Sequence, residues 1–190
     1  RTCLVGSEMC IRDRVNTTGF DNTAVGTYSL DANTTGNYNS AFGQGALGKN
    51  TTASNNVAIG YTALINNTTG FDNTAVGTFS LDANSTGSYN TALGQGSLGK
   101  NTTASNNTAV GYTALLNNTT GTQNVALGTS ALDASTTASY NTGLGTDAFG
   151  SLTTGGFNTA VGRQAGASCT TAENTVAIGA GAMSNNTCTG

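Results

Sequence analysis

The chain has no proline, no tryptophan and no histidine, and only 8% of its residues are charged. Each absence excludes something. Without histidine there is no Ser-His-Asp or Cys-His pair, and the four cysteines are not spaced as a zinc site. Six basic residues stand against nine acidic ones, a formal charge of −3. No basic patch is available to neutralise phosphates, so nucleic acid is not an expected partner. No apolar run approaches the ~20 residues that a membrane-crossing helix needs, and no membrane insertion is expected. Twenty-seven glycines and an excess of Asn, Thr, Ser and Ala fill the chain instead. That composition alone fits low-complexity disorder, but the strict periodicity described next argues against it.

The glycines at 26, 43, 60, 77, 94, 111, 128, 145, 162 and 179 stand 17 residues apart without exception, which defines ten units. Before each Gly comes a large apolar residue (Val25, Phe42, Ile59 and so on), and before that Ala, with Gly143 the exception. Asn stands four residues before the Gly in nine units, Asn22 to Asn158. Leu stands four residues after it in seven units, followed by Phe149, Gly166 and Met183. Residues 20–70 and 71–121 agree at 42 of 51 positions, so a three-unit block has been duplicated. The first fourteen residues, RTCLVGSEMCIRDR, contain no unit and resemble the translated read-through of a sequencing adapter. They are read as a non-native segment, with a divergent cap as the alternative, and residues 15–190 as one repeat domain. The chain begins with Arg1 rather than Met, so its true N-terminus is expected to be missing.

Seventeen residues are too few for a helix pair, and Asn, Thr, Gly and β-branched residues are poor helix formers. The expected fold is all-β, a parallel β-solenoid of ten 17-residue rungs. Each coil is read as a strand, a Gly corner, a second strand and a polar return loop, with rungs ~4.8 Å apart. Every repeated letter then becomes a column. Val25, Phe42 and Ile59 form one apolar ridge, and Leu30, Leu47 and Leu64 a second. The Asn column forms an amide ladder, and the Gly column a corner that a Cβ would strain. Alternation leaves two placements for the Ala column. It faces another chain if Val25 points inward, or it fills a thin core.

Segments such as NNVAIG at 55–60 and NTVAIG at 174–179 resemble the head repeats of trimeric autotransporter adhesins. Similar units occur in tail-fibre-like proteins. The resemblance implies a left-handed β-roll, assembly as a homotrimer, and an extracellular location on a cell or virion surface. It implies a structural or adhesive module whose ligand is a host surface, matrix or glycan. The adhesin unit is usually shorter than 17 residues, which places the extra residues in the polar loop. On this reading the Ala24/Ala41/Ala58 face lies toward the trimer axis.

The chemistry-bearing positions are sparse, and no catalytic, cofactor or metal site is expected. Asp31, Asp82 and Asp133 share one repeat position three rungs apart, ~14 Å, too far for the ~5–9.5 Å of a glycosidase pair. GQGALGK at 43–49 lacks the spacing of a phosphate-binding loop. Asn33, Asn50, Asn67, Asn84, Asn101 and Asn118 head N-x-T/S sequences that are either glycosylation acceptors or plain turn residues. A nine-residue Thr column from Thr35 to Thr171 raises an ice-binding alternative, but adjacent threonines point to opposite sides of a strand. Cys169 and Cys188 fall in the loops of adjacent rungs, offset by two positions. Straight strands would put their Cα atoms ~8 Å apart, outside the ~7 Å disulfide limit. A curved loop brings them within it.

Overall fold

A computed structural model describes residues 16–185 and Cys188. The segment 1–14 read as non-native lies outside the described residues. Ten three-residue strands, one per rung, form a single parallel sheet in sequence order. They are β1 Thr23–Val25, β2 Ser40–Phe42, β3 Val57–Ile59, β4 Thr74–Val76, β5 Thr91–Leu93, β6 Thr108–Val110, β7 Val125–Leu127, β8 Thr142–Leu144, β9 Thr159–Val161 and β10 Val176–Ile178. Register never slips: Ala24 pairs with Ala41, Ala41 with Ala58, and so to Ala160 with Ala177. The parallel β-solenoid of 17-residue rungs is therefore present as expected. Stacked at the usual inter-strand spacing, ten rungs make a rod of about 45 Å.

Three expected columns are in place. The glycine corner has φ between +118° and +138° in all ten rungs, a region L residues avoid. A Cβ on Gly77 would stand 2.6 Å from both the carbonyl carbon and the oxygen of Gly94 on the next rung. The Asn22 column is a buried amide ladder. Asn56 Nδ2 donates to Asn39 Oδ1 at 3.2 Å, and Asn73 Nδ2 to Asn56 Oδ1 at 3.2 Å. Each Oδ1 also accepts the backbone N–H of the next Asn, and each Nδ2 also reaches a return-loop carbonyl, as Asn73 does to Gly87 O at 2.9 Å. The residue just before each strand thus satisfies a return-loop carbonyl and its neighbour's backbone, which offsets the desolvation cost of a buried amide. The Leu30 column is fully enclosed from Leu47 to Leu132.

Among the described residues no rung has the expected second strand. Residues 27–32 and their equivalents run as consecutive turns in which two positions are left-handed. Tyr28 has φ +61° and Leu30 φ +48°, and every later residue of the Leu30 column lies between +48° and +64°. The backbone still bonds along the rod: Leu30 N–H to Ala46 O at 3.0 Å and Ala32 N–H to Gly48 O at 3.1 Å. Left-handed backbone costs an L residue roughly 1–2 kcal/mol. Burying a whole Leu side chain returns about 1.5–3 kcal/mol, so the inward Leu carries the strained turn.

One expectation is reversed. The Val25 column points outward, and the Ala column fills the interior. Ala41, Ala58, Ala75 and Ala92 have no exposed surface, whereas Phe42 is 40% and Leu127 52% exposed. The Ala24/Ala41/Ala58 face therefore cannot be the contact toward a trimer axis. The core is only two side chains thick, Ala from the sheet and Leu from the turns. A Cβ at Gly143, the one break in the Ala column, would already stand 3.1 Å from Leu132 Cγ. Even a methyl group there would require Leu132 to give way by a few tenths of an ångström. Of the two placements the sequence allowed for alanine, the thin core is the one observed.

The last rungs depart from the pattern in a compensated way. Phe149 takes a Leu position and Gly166 takes the next, and a Cβ on Gly166 would fall onto Phe149 Cε1 and Cδ1. The large ring occupies the space of two leucines. Gly166→Leu is expected to destabilise the rod by about 1–3 kcal/mol through overpacking. The pair Phe149→Leu with Gly166→Leu restores the column, and its double-mutant cycle in chemical denaturation should show a favourable coupling on the order of 1–3 kcal/mol. Additive losses would show that the two sites do not share space. Cys169 and Cys188 are joined by a disulfide, with Cα atoms 4.6 Å apart. The curved loop has closed the gap that straight strands would leave.

Candidate functional surface

Three surfaces of the rod carry exposed chemistry. The first is the sheet face. Alternation puts residues 23 and 25 of each unit outward in two parallel ranks. The rank of Val25 contains only Val, Phe, Ile and Leu, and the rank of Thr23 only Thr, Ser and Val. No charge interrupts either rank over ten rungs. With ~4.8 Å per rung and ~7 Å between ranks, the face covers roughly 300–400 Å², and its continuous apolar part is the Val25 rank, because Thr or Ser fills seven of the ten places in the other.

The second is an aromatic edge just before the strands. Phe20 meets Tyr38 at a 5.2 Å ring separation, Phe71 meets Tyr89 at 5.0 Å, and Tyr140 stacks on Phe157 at 4.7 Å. All six rings are more than two-fifths exposed. The pairs link neighbouring rungs and contribute about 0.5–1.5 kcal/mol each beyond their buried area.

The third lies beyond the glycine corner, on the turn side. There a notch of about 390 Å³ opens between rungs. Phe79 and Asp82 stand on one rung, Gln95 and Lys100 on the next with Gly96 and Gly99 as floor, and Tyr112 and Leu116 on the third. The two glycines leave the space where Phe79 and Asp82 project on the rung before. Lys100 is held in place, its Nζ donating to Asn117 Oδ1 at 2.7 Å, while Asn117 Nδ2 donates to Asp133 O at 2.7 Å. Partial burial pushes the Asp82 carboxyl above its ordinary value, and hydrogen bonds from its own and Ala83's backbone pull part of the way back.

The positions singled out from sequence fare differently. Asp31, Asp82 and Asp133 remain three rungs apart and are not brought together. Asp133 instead neighbours Asp147, which sequence spacing did not flag. Burial first, then the Asp147 charge, raise the Asp133 carboxyl. The 43–49 segment is one turn of the coil, with Gly45 at φ +71° and Leu47 at φ +51° facing inward, and forms no phosphate loop. Among the described residues no cluster of His, Cys, Asp or Glu has metal-site geometry, and no helix is long and apolar enough to cross a membrane.

The six N-x-T/S asparagines are buried in the folded rod and brace their turns from inside it. Asn50, Asn67, Asn84, Asn101 and Asn118 are fully buried and form a second amide ladder, for example Asn84 Nδ2 to Asn67 Oδ1 at 2.9 Å. Each also donates to the carbonyl three residues on, as Asn67 does to Gly70 O at 2.8 Å. The ladder ends at Ser135, and there Asn118 Oδ1 and Ser135 Oγ are buried without a partner. A period of 17 at an Asn signals a ladder as readily as a turn. The two threonines that follow divide the work. Thr34 Oγ1 bonds Thr51 O on the next rung at 2.9 Å, and the Thr35 column stands exposed in single file. No family model, no curated protein and no solved structure matches the chain.

Proposed function

We propose that this chain is an extracellular structural and adhesive rod without catalysis, the repeat shaft or head of a surface fibre, which assembles with copies of itself. The supporting observation is the uncharged two-rank sheet face that runs the length of the rod. Its Val, Leu, Ile and Phe side chains form an apolar rank left outside on every rung, and a second identical rod offers the same rung spacing. The resemblance to adhesin head repeats makes the assembly a homotrimer, now packed through the Val25 rank instead of the Ala24 rank. The Cys169–Cys188 disulfide fits an oxidising, extracellular compartment. Turns and aromatic edges then remain outward as the display surface, with a host-surface, matrix or glycan ligand.

Sedimentation checks the assembly. The chain is expected to run as a trimer, and Val76→Lys with Val110→Lys to run as a folded monomer, because both residues point outward. Ala75→Lys with Ala109→Lys is expected to unfold instead, because both alanines are fully buried. A monomeric parent chain, or a trimer that survives the Val76/Val110 change, overturns the interface.

A second reading, ice binding, draws on the same face, where Thr occupies the first rank in six of ten rungs. The other rank varies from Val to Phe, which spoils a regular lattice match. Thermal hysteresis at micromolar protein would support it, and its absence would end it.

A further inference from the structure

We propose that the turn-side notch binds one uncharged pyranose ring of a glycan, and that the chain carries two such sites. This deepens the reading of the rod as a display surface and rests on it.

The notch has the features that a sugar ring needs. A pyranose presents an apolar C–H face and a rim of hydroxyls. Phe79 and Tyr112 stand on rungs either side of the floor, and aromatic faces carry the negative quadrupole that attracts C–H groups. Gly96 and Gly99 bring backbone, without side chain, to the base of the cleft. Asp82, Gln95 and Lys100 supply acceptors and donors at the rim. The volume lies within the 300–1,000 Å³ usual for small-ligand clefts.

Charge selects the class. One carboxylate and one ammonium line the cleft, so the local field favours neither anions nor cations. A quaternary ammonium would gain from the aromatics, but the Lys100 ammonium, fixed by its 2.7 Å bond to Asn117, opposes it. A neutral polyol meets neither penalty.

The duplication supplies the second site. Tyr28, Asp31, Gln44, Lys49 and Tyr61 occupy the matching places 51 residues earlier, with Tyr28 for Phe79 an aromatic exchange. The local geometry repeats as well. Gly45 packs toward Ile65 and Thr62 as Gly96 does toward Leu116 and Thr113. Lys49 Nζ is held by Asn66 Oδ1 at 2.7 Å, as Lys100 is by Asn117. The next block has lost the chemistry, with Ser130 for Phe79, Asp147 for Gly96 and Arg163 for Tyr112. Two equivalent sites therefore lie ~14 Å apart on one side of the rod, close enough for one linear glycan to engage both and gain avidity.

The test is a titration of the full chain, isotope-labelled, followed by NMR at the glycine amides. The probes are methyl glucoside, methyl galactoside, methyl N-acetylglucosaminide and linear oligosaccharides of each, with tetramethylammonium as the cationic probe. At least one sugar is expected to shift Gly45, Gly48, Gly96 and Gly99 in a saturable way, with two equivalents per chain. Tyr112→Ala should abolish the Gly96 and Gly99 response and leave Gly45 and Gly48, and Tyr28→Ala should do the reverse, whereas Tyr61→Ala should weaken both because the Tyr61 ring meets Phe79 edge-on at 5.5 Å. Asp82→Asn keeps the shape and should weaken binding at the Gly96/Gly99 notch about tenfold, the equivalent of about 1.4 kcal/mol. The proposal fails if no sugar gives saturable shifts, if shifts persist in the Tyr28→Ala/Tyr112→Ala variant, or if tetramethylammonium binds in preference. Sedimentation of the same samples reports assembly separately. A rod that assembles but binds no sugar overturns the notch and leaves the structural reading standing.

Discussion

Gly77→Ala is expected to break the rod at its fourth rung. The added methyl would lie 2.6 Å from the Gly94 carbonyl carbon and oxygen and 3.1 Å from the Gln95 nitrogen, all backbone atoms of the next coil. No rotamer relieves it, because a Cβ has none. The residue also has φ +135°, outside the range an L side chain tolerates. Backbone strain of roughly 1–3 kcal/mol adds to the cost of pushing two rungs apart, so a total loss on the order of 4 kcal/mol is expected. A stack contacts only neighbouring rungs, so a broken interface uncouples what lies on either side. Urea unfolding of the variant should split into two transitions with smaller slopes than the parent's single one. An unchanged single transition would show that the corner can move. Gly99→Ala makes the control: it shares the turn region, its Cβ stays 3.1 Å or more from every neighbour, and it should cost far less.

Asn90→Asp is expected to be nearly as damaging at neutral pH, and to recover in acid. Asn90 Nδ2 donates to Asn73 Oδ1 at 3.1 Å and to Ala104 O at 2.9 Å, while its Oδ1 accepts the Asn107 N–H at 3.0 Å. The isosteric carboxylate keeps only the last of these. Its second oxygen faces two acceptors in a fully buried site, which combines an unpaired buried charge with lost hydrogen bonds. A cost on the order of 3–5 kcal/mol follows at pH 7. The sign of the pH dependence is fixed by which state holds the proton more tightly. Burial and two facing oxygens raise the folded-state value of the new carboxyl above its unfolded value. The native state therefore binds more protons in that window, and stability falls as pH rises through it. Below the unfolded value the neutral acid donates one hydrogen bond back, and most of the loss is recovered. Thermal unfolding between pH 3 and 8 measures this. A loss independent of pH would mean that the ladder acts through shape alone.

The ladders show how much a letter at fixed spacing can reveal. A column of Asn22, Asn39 and Asn56 at a 17-residue interval can stack only if the coil has that length, and the stacked amides then have one satisfied arrangement. The glycine column is legible for the same reason, because ten glycines at one phase mark a backbone position that excludes a Cβ. The leucine column is legible as core, but its left-handed backbone is not. Leu is a rare occupant of that region, and only the return in buried area makes it acceptable. The notch was equally hidden. Its rim residues lie up to 37 positions apart, from Phe79 to Leu116, and meet only because three coils stack.

Periodicity by itself determined the coil length, the in-register parallel stack, the Asn and Leu columns and the glycine corner, because every rung repeats the same local demands. Only the tertiary structure decided which side of the strand faces in. Alternation distinguishes two faces but does not label them. The usual rule, larger apolar residue inside, points to Val25. The rule fails because the turn opposite sends Leu30 across a cavity too shallow for two branched side chains. With Leu filling it, the strand can contribute only a methyl group, so alanine takes the interior and Val, Phe, Ile and Leu are left on the outer face.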